Sequence, residues 1–318
     1  MNKEEFKLIT PVAFITYIRL DTTIQAFESI RNARPSKLYH ISDAANTEEK
    51  QKKVEEVRNY VRENIDWPCE FITNYASANI GCKNRIVSGL DWVFSQEEKA
   101  IIIEDDVVVS KSFYRFAQEM LDRYSDNDQV MMVTSGNGVT TYDNGNDYWF
   151  SHNCSIWGWA TWRHAWEKND VNLTQWPKLK KDKILYKFYD ERAARIYERG
   201  IDSVYSGELN TWDYGWLLAK AVYNGMEIVP CVNMMKNVGI ESEEATHKSG
   251  IDAELVVNEI SFPLKHPDVV IREKKYDDEY ANIWFKTSKM ELFIRRIIPA
   301  PVLKSIRLFL VRIRIIKA

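Results

Sequence analysis

Residues 99–116, KAIIIEDDVVVSKSFYRF, decide how this chain of 318 residues folds. A short apolar run leads straight into three adjacent carboxylates, Glu104, Asp105 and Asp106, and a second apolar run follows them. The pattern predicts a buried strand over 100–103 with an amphipathic helix after it. Carboxylates packed this closely repel one another and lose hydration when buried, so another group must compensate their charge.

Strand-like and helix-like stretches alternate around this segment. Predicted strands cover 12–18, 37–42, 69–73, 100–103 and 129–135, and predicted helices cover 22–33, 48–63, 83–94 and 112–124. Alternation at this spacing produces right-handed β-α-β units, which predicts an α/β fold with a mostly parallel sheet and helices on both faces. Ligands of such sheets bind beyond the carboxyl ends of the strands, where the three acids lie.

The second half of the chain has a different pattern. Residues 136–176 are irregular and rich in Trp, Gly and Asn, which is typical of a pocket built from loops. Helices are predicted over 182–199 and 211–225, and a strand over 227–232. We therefore expect loops of this half to form the walls of a pocket.

Composition limits the classes of function. A chain with 45% apolar and 28% charged residues can bury an ample core, and a formal net charge of −3 argues against nucleic acid as the main partner. The four cysteines have no C-x-x-C spacing, which fits reduced thiols better than disulfides or a zinc site. No apolar leader opens the sequence and no apolar run is long enough for a transmembrane helix, so the expected location is the cytoplasm.

Acids at a strand end have two stable kinds of partner. They pair with Arg or Lys, or they bind a hard divalent cation such as Mg²⁺ or Mn²⁺ that bridges them to substrate phosphates. A metal explains why the acids lie in a nucleotide-binding kind of sheet, since a diphosphate is repelled by three negative charges unless a cation lies between them. A solvated turn or a surface ion pair is the alternative.

Two segments resemble a known enzyme family. Residues 101–116, IIIEDDVVVSKSFYRF, resemble the E-D-D strand end of the GT-A glycosyltransferases related to N-acetylglucosaminyltransferase I. Residues 155–166, SIWGWATWRHAW, resemble the Trp-rich segment of bacterial members near that group. The resemblance covers about 11–247. It implies a GT-A (Rossmann-like) fold, a nucleotide-sugar donor, in the first place a UDP-sugar, a Mn²⁺ or Mg²⁺ cofactor, and transfer with inversion at the anomeric carbon.

The resemblance gives each acid of the triplet a role. Asp106 would be the direct metal ligand, and Asp105 would contact the donor ribose or the metal shell. Glu104 would hydrogen-bond the donor sugar. All three lie at the end of a predicted strand, as the fold requires of a ligand site.

The first two strands would supply the rest of the donor site. The segment TYIR matches the family's donor-site strand and puts Thr16, Tyr17 and Arg19 near the base and the diphosphate. Asp43, after the second strand, would accept a hydrogen bond from the base N–H. Packing is the alternative role for Tyr17.

The segment NIGCKN opens the third predicted helix. Asn79 and Gly81 would begin a helix whose N-terminal amides face the diphosphate, and Lys83 would add a positive charge. A plain capped helix explains Asn79 and Gly81 equally well.

Inversion requires a base that deprotonates the acceptor hydroxyl as it attacks the anomeric carbon. The family places an Asp in a W-D context shortly before a helix, and NTWDYGWLL supplies Asp213 there. Asp is also a favoured residue for capping a helix, which is the alternative role. Glu208 is the reserve candidate for the base.

Tryptophans would form walls for the acceptor and donor sugars. The candidates are Trp157, Trp159 and Trp162, with Gly158 allowing close approach to the ligand, together with Trp212. Trp159 and Trp162, three positions apart, equally fit the core-facing side of a helix.

A late loop, NVGIESEEATH, resembles the family's closing loop. Asn237, Gly239 and His247 would lie near the diphosphate, and His247 would complete the metal shell. A structural role is the alternative for this histidine.

These assignments predict one glycosyltransferase domain and a tail. The domain covers 1–285, with a nucleotide-sugar half over about 1–135 and an acceptor half over about 136–285. The tail, 286–318, has nine Lys or Arg against one acid, and its apolar residues recur at helical spacing. Basic amphipathic helices of this kind lie on an anionic membrane surface, here its inner face, or dock on protein.

The predicted function is transfer of a hexosyl or N-acetylhexosaminyl group to a glycan or lipid-linked acceptor in cell-surface polysaccharide synthesis. A nucleotidyltransferase is the first alternative, but it would need a Gly-rich phosphate loop after the first strand, and TYIRLDTT contains no glycine. A non-catalytic carbohydrate-binding protein is the second, and it would keep aromatic residues without needing a metal triplet and a separate base.

Overall fold

The computed structural model describes residues 6–153, 155–239 and 255–285. The predicted amphipathic tail and His247 lie outside these described residues. Within them, no helix is long and apolar enough to cross a membrane.

The described residues form two sheets and a set of packed helices. The strands are β1 Val12–Thr16, β2 Lys37–Ser42, β3 Glu70–Tyr75, β4 Lys99–Glu104, β5 Val107–Val109, β6 Val130–Thr134, β7 Tyr148–Ser151, β8 Trp159–Trp162, β9 Met226–Pro230 and β10 Met235–Asn237. The α-helices are α1 Leu20–Ala33, α2 Glu48–Glu63, α3 Cys82–Phe94, α4 Lys111–Arg123, α5 Arg163–Trp166, α6 Trp176–Lys181, α7 Glu191–Tyr205, α8 Asp213–Val222 and α9 Lys274–Trp284.

The main sheet has eight strands in the order β3-β2-β1-β4-β8-β6-β9-β7. The pairs β3/β2, β2/β1, β1/β4 and β6/β9 are parallel, whereas β8 is antiparallel to both its neighbours and β7 is antiparallel to β9. The expected α/β fold with a mostly parallel sheet is therefore confirmed. Because β1 lies between β2 and β4 and is parallel to both, the carboxyl ends of these three strands meet at one edge.

Helices cover both faces of this sheet. Alternate side chains of β1 face opposite ways, as strand geometry requires. Val12 and Phe14 pack with Phe27 of α1 in one buried cluster, and Ala13 packs with Leu90 of α3 in another. The main sheet thus lies between two apolar cores.

The second half is more regular than its sequence pattern predicts. The stretch 136–176, expected to be irregular, contains β7, β8 and α5 and the start of α6. The strand β8 has the sequence WATW and is buried at the sheet centre, so it shows no polar alternation that could predict it. The single helix expected over 182–199 is a 3₁₀ turn, Ile184–Lys187, followed by α7, which begins where the Asp190 side chain accepts from Ala193 N.

A buried ion pair links α8 to β9. The Lys220 ammonium contacts the Glu227 carboxylate, and the two side chains are 5% and 0% exposed. Burial lowers the pKa of Lys220 to about 7 and raises the pKa of Glu227. Both pKa shifts arise because burial disfavours the charged form of each side chain. Removing one side chain alone would therefore leave the other buried without a partner, which destabilises the fold.

We expect Lys220→Ala to lower the free energy of unfolding by about 3–5 kcal/mol, because Glu227 is left buried without its partner. The double variant Lys220→Met with Glu227→Leu should recover most of that loss, because no buried charge remains. Urea denaturation measures both values. Lys274→Met, in the exposed pair with Asp278, is the matched control and should change stability little. Equal effects of Lys220→Ala and Lys274→Met would contradict the prediction.

Candidate active site

The three acids lie where β4 ends beside β1. Ile15 of β1 is in register with Glu104 of β4, so the turn after β4 meets the loop after β1. The Arg19 guanidinium from that loop donates to Asp105 Oδ1 at 2.6 Å and to Asp106 Oδ2 at 2.9 Å. Tyr17 N donates to Asp105 Oδ2 at 2.9 Å. Arg19 thus supplies the positive charge that was expected to compensate these acids.

The site keeps an excess of acidic groups even with Arg19 in place. Burial, together with the charges of Asp106, Asp105 and Asp213, raises the pKa of Glu104 to about 8. Burial also raises the pKa of Asp105 to about 6, although the Arg19 charge opposes this rise. Burial alone would lower the pKa of Arg19, but the charges of Asp105 and Asp106 more than offset it and raise the pKa. One guanidinium therefore neutralises only part of the carboxylate charge.

The segment after β10 covers the acids. The strands β10 and β5 are antiparallel, and Val238 N donates to Asp106 O at 2.8 Å. Gly239 N donates to Asn237 Oδ1 at 2.8 Å. A Cβ on Gly239 would lie 2.6 Å from Asp106 Oδ2 and 2.7 Å from Arg19 Nη1, so a larger residue here would displace both side chains. Asn237 and Gly239 are thus beside the acids, and the metal role of His247 stays a prediction.

Asp43 organises the loop before α3. Its buried carboxylate accepts from Ala44 N at 2.9 Å, Ile80 N at 3.2 Å and Gly81 N at 3.0 Å. Asn79 Nδ2 donates to Ala44 O at 2.7 Å and to the Tyr17 hydroxyl at 3.3 Å. These bonds tie the ends of β1 and β2 to the start of α3. Contact of Asp43 with a nucleoside base stays a prediction.

Lys83 and Thr16 have different surroundings. Lys83 is partly exposed in the first turn of α3, and its contact with a diphosphate stays a prediction. Thr16 is corrected from a ligand contact to a core residue. It is 3% exposed, and its hydroxyl hydrogen-bonds His40 Nε2 at 2.9 Å. The reason is strand alternation, which turns Thr16 to the same face as Phe14 rather than to the cleft.

The fully buried His40, which hydrogen-bonds Thr16, leads us to expect that stability depends on pH. Burial, and then the charges of Arg58 and Arg62, lower the pKa of His40 to about 3. The unfolded chain binds a proton at about pH 6.5 and the folded chain does not, so stability falls as pH drops below 6.5, by up to about 1.4 kcal/mol per pH unit. The variant His40→Gln, which does not titrate, should show a shallower decline in urea denaturation between pH 6.5 and 4. Identical slopes for parent and variant would contradict this.

Asp213 joins the acids from the other half of the chain. The segment before α8 meets the loop before α3, since a Cβ on Gly81 would lie 3.7 Å from Asn210 Nδ2. The Asp213 charge contributes to the raised pKa of Glu104. Thr211 Oγ1 donates to Asp213 Oδ1 at 2.5 Å, and Asp213 is the first residue of α8. The N-cap of the helix is Trp212, and Asp213 is the acidic residue of its first turn, so both the base and a role at the helix start stay predictions. Glu208 is exposed before the helix.

A cavity of about 250 Å³ opens beside Asp213. It is lined by Gly136, Asn137, Gly138, Ser155, Ile156, Trp157, Asp213, Met235, Leu255, Tyr280 and Trp284. Of the tryptophans expected to form sugar walls, Trp157 is the one on this cavity. Tyr280 and Trp284 of α9 were missed, because nothing in the local pattern of 274–284 indicates which side of the helix borders a cleft.

Trp159 and Trp212 are corrected from sugar walls to core residues. They are 0% and 4% exposed and stack on each other with ring centroids 5.5 Å apart. Trp166 packs against both rings of this pair, and Trp216 packs against Trp159. Trp162 is also buried, and its Nε1 donates to Leu121 O. Trp159 and Trp162 belong to a central strand, which explains their burial better than the helical stripe considered from the sequence.

The acids fit a hard divalent cation whose remaining ligands come from water and substrate. Among the residues described, no three His, Cys, Asp or Glu side chains converge as a ready metal cage. Mg²⁺ and Mn²⁺ do not require one, because they commonly bind one or two carboxylates together with water and substrate phosphates. Asp106 is the more accessible of the two acids paired with Arg19, with its side chain 19% exposed against 6% for Asp105, and its metal role stays a prediction.

Comparison with known proteins gives weak similarities only. No protein-family model matches the chain, and no curated protein matches it. Among solved structures, it is similar to S. aureus TarS 1–349, with 11% identity and a TM-score of 0.35 over 51% of this chain and 50% of that one. The chain therefore spans about half the length of that TarS structure.

Two further solved structures have comparable values. Mannosyltransferase PcManGT from Pyrobaculum calidifontis, in complex with GDP-Man and Mn²⁺, has 11% identity and a TM-score of 0.39 over 69% of this chain and 70% of that one. A UDP-glucose pyrophosphorylase complexed with UDP-glucose has 11% identity and a TM-score of 0.30 over 50% and 78%. Scores this low assign no activity. The class defined by the fold and the cleft is a Rossmann-like α/β protein with a carboxylate-lined site at its strand ends.

Proposed function

We propose that this chain is an inverting, metal-dependent glycosyltransferase of GT-A type. It transfers a sugar from a nucleotide-sugar donor, in the first place a UDP-sugar, to a hydroxyl of a glycan or glycolipid. The donor half is about 1–135 and the acceptor half about 136–285. Contact of the tail, 286–318, with an anionic membrane stays a prediction.

One observation carries the proposal. The acids Glu104, Asp105 and Asp106 lie at the end of β4, and Asp213, whose segment meets the loop before α3 at Asn210, borders a cavity. A transferase of this type needs a cation-binding group for the diphosphate and a base on the side of the acceptor. A non-catalytic sugar-binding protein needs neither.

The donor would bind along the ends of β1, β2 and β4. The Tyr17 and Asn79 side chains are hydrogen-bonded to each other, and Asn79 is fixed to the loop after β2. They would form one edge of the nucleoside site. Arg19 is 23% exposed beside the acids, so it is positioned to exchange part of its carboxylate contacts for a donor phosphate. A bound Mn²⁺ or Mg²⁺ would balance the diphosphate charge and stabilise the leaving group.

Asp213 would act as the base. Its Oδ1 accepts from the Thr211 hydroxyl, which fixes the orientation of the carboxylate and leaves Oδ2 to take the proton of the acceptor hydroxyl. The base must lie close to the acceptor hydroxyl, and Asp213 lines the cavity in which the acceptor would bind.

A thermal-shift panel of UDP-, GDP- and dTDP-sugars, each with and without Mn²⁺, tests the proposal. We expect at least one nucleotide sugar to stabilise the chain when Mn²⁺ is present and much less when EDTA replaces it. The stabilising donor is then incubated with the chain, and release of nucleoside diphosphate is measured. Release of inorganic diphosphate from a nucleoside triphosphate and a sugar phosphate would indicate a nucleotidyltransferase. Absence of any stabilising nucleotide sugar would overturn the proposal.

A further inference from the structure

Helix α9 contributes two side chains, Tyr280 and Trp284, to the wall of the cavity that Asp213 also lines. Tyr280 and Trp284, one helical turn apart, stack with ring centroids 5.5 Å apart and an angle of 18° between the rings. Trp284 Nε1 donates to Gly138 O at 3.0 Å, which fixes the indole against the loop after β6. With Trp157, these rings give the cavity its aromatic surface.

The helix α9 is anchored firmly to the main sheet. Asp277, which is 2% exposed, accepts from Ser151 Oγ of β7 and forms an ion pair with Arg272. Tyr276 packs on Trp149 of β7 with ring centroids 5.2 Å apart. The aromatic wall is therefore preformed, and a ligand that stacks on it loses little conformational entropy of the protein.

The loop facing α9 is equally fixed. Asn137 is 0% exposed, and its Nδ2 donates to Pro230 O at 2.9 Å while its Oδ1 accepts from Val139 N at 2.9 Å. A Cβ on Gly138 would lie 2.6 Å from both Trp284 Nε1 and Tyr280 Cε2. A glycine at this position therefore lets the two rings approach the loop.

We propose that this cavity binds the terminal sugar ring of the acceptor, with one apolar face of the ring against Trp284, which is backed by the buried Tyr280. This rests on the proposed function, because it takes Asp213 as the group that receives the hydroxyl proton. The cavity volume of about 250 Å³ is just below the range of about 300–1,000 Å³ usual for pockets of drug-sized ligands. It fits one monosaccharide ring, with the rest of the acceptor outside.

The chemistry of the lining favours a neutral sugar. Aromatic faces bind the C–H face of a pyranose, and the Asp213 carboxylate and Ser155 hydroxyl can hydrogen-bond its hydroxyl groups. A phosphorylated or carboxylated ring is disfavoured, because Asp213 and the nearby acids repel it. The substrate class is therefore an uncharged hexose or N-acetylhexosamine at the end of an acceptor.

The binding test mixes the full chain with the methyl glycosides of glucose, galactose and N-acetylglucosamine. Saturation-transfer NMR measures which of them binds. At least one glycoside should bind, with the strongest transfer to protons of one ring face. Trp284→Ala and Tyr280→Ala should each weaken binding about tenfold. Trp284→Phe should retain most of it, because a ring face remains. Tyr205→Ala, at an exposed tyrosine of α7, is the matched control and should bind like the parent.

A second measurement, of donor binding, distinguishes failure of this inference from failure of the proposed function. Nucleotide-sugar stabilisation with Mn²⁺ should be equal in the parent and in Trp284→Ala, since the cavity that Trp284 lines does not include the three acids among its lining residues. Gly138→Ala, which pushes on the same rings, replaces Trp284→Ala if that variant does not fold. Glycoside binding without any donor binding would support the sugar cavity and overturn the glycosyltransferase. If no glycoside binds the parent, or if the α9 variants bind as the parent does, the inference is overturned.

Discussion

Asp213→Asn should lower the rate of sugar transfer by about two to four orders of magnitude while leaving donor affinity unchanged. An asparagine has the shape of the aspartate and can still accept the hydrogen bond from Thr211 Oγ1, so the helix start and the cavity wall should be preserved. What it loses is the ability to accept a proton at neutral pH. Transfer is measured as release of nucleoside diphosphate at saturating donor.

Glu208→Gln is the matched control, because Glu208 lies in the same segment but is exposed before α8. It should transfer sugar at the parental rate. If Asp213→Asn were as fast as the parent and Glu208→Gln were slow, the base would be Glu208. Thermal denaturation of both variants should match the parent, since neither change removes buried apolar surface.

Asp106→Asn should weaken Mn²⁺-dependent donor binding by at least about 100-fold, because loss of even an outer-shell partner costs metal sites about 10–100-fold. Asp106 is the more exposed of the two acids paired with Arg19, and its amide variant keeps the size of the side chain but not the charge. Calorimetric titration of the donor, with Mn²⁺ and with EDTA, measures the loss. The variant should bind the nucleotide equally weakly in both conditions.

Asp122→Asn is the control for this change. Asp122 forms an exposed ion pair with Lys99, on α4 and away from the cleft, so donor binding should be unaffected. Normal Mn²⁺-dependent binding by Asp106→Asn would show that the metal is held elsewhere, or that Arg19 alone balances the diphosphate. The triplet would then be a structural ion-pair network.

Features that depend on neighbouring residues were predictable from the sequence. The helix expected over 48–63 is α2, Glu48–Glu63, because a charged face and a spaced apolar stripe are local properties. The acids were expected at a strand end, and Glu104 ends β4. The parallel pairing of strands joined by β-α-β units follows from chain connectivity, so a mostly parallel sheet could be anticipated, whereas the order β3-β2-β1-β4 was not predicted.

The sequence by itself therefore determined the α/β class, the edge of the sheet that carries the acids, and the need for a charge to balance them. Only the tertiary structure decided which residue supplies that charge and which tryptophans border the cavity rather than the core. Arg19 and Asp105 are 86 positions apart, and Trp284 and Gly138 are 146 apart, so no local pattern records these contacts. Trp157 and Trp159 are two positions apart, yet one borders a cavity and the other is fully buried, because β8 was inserted between β4 and β6. Burial is set by what packs against a side chain, and those neighbours come from distant parts of the chain.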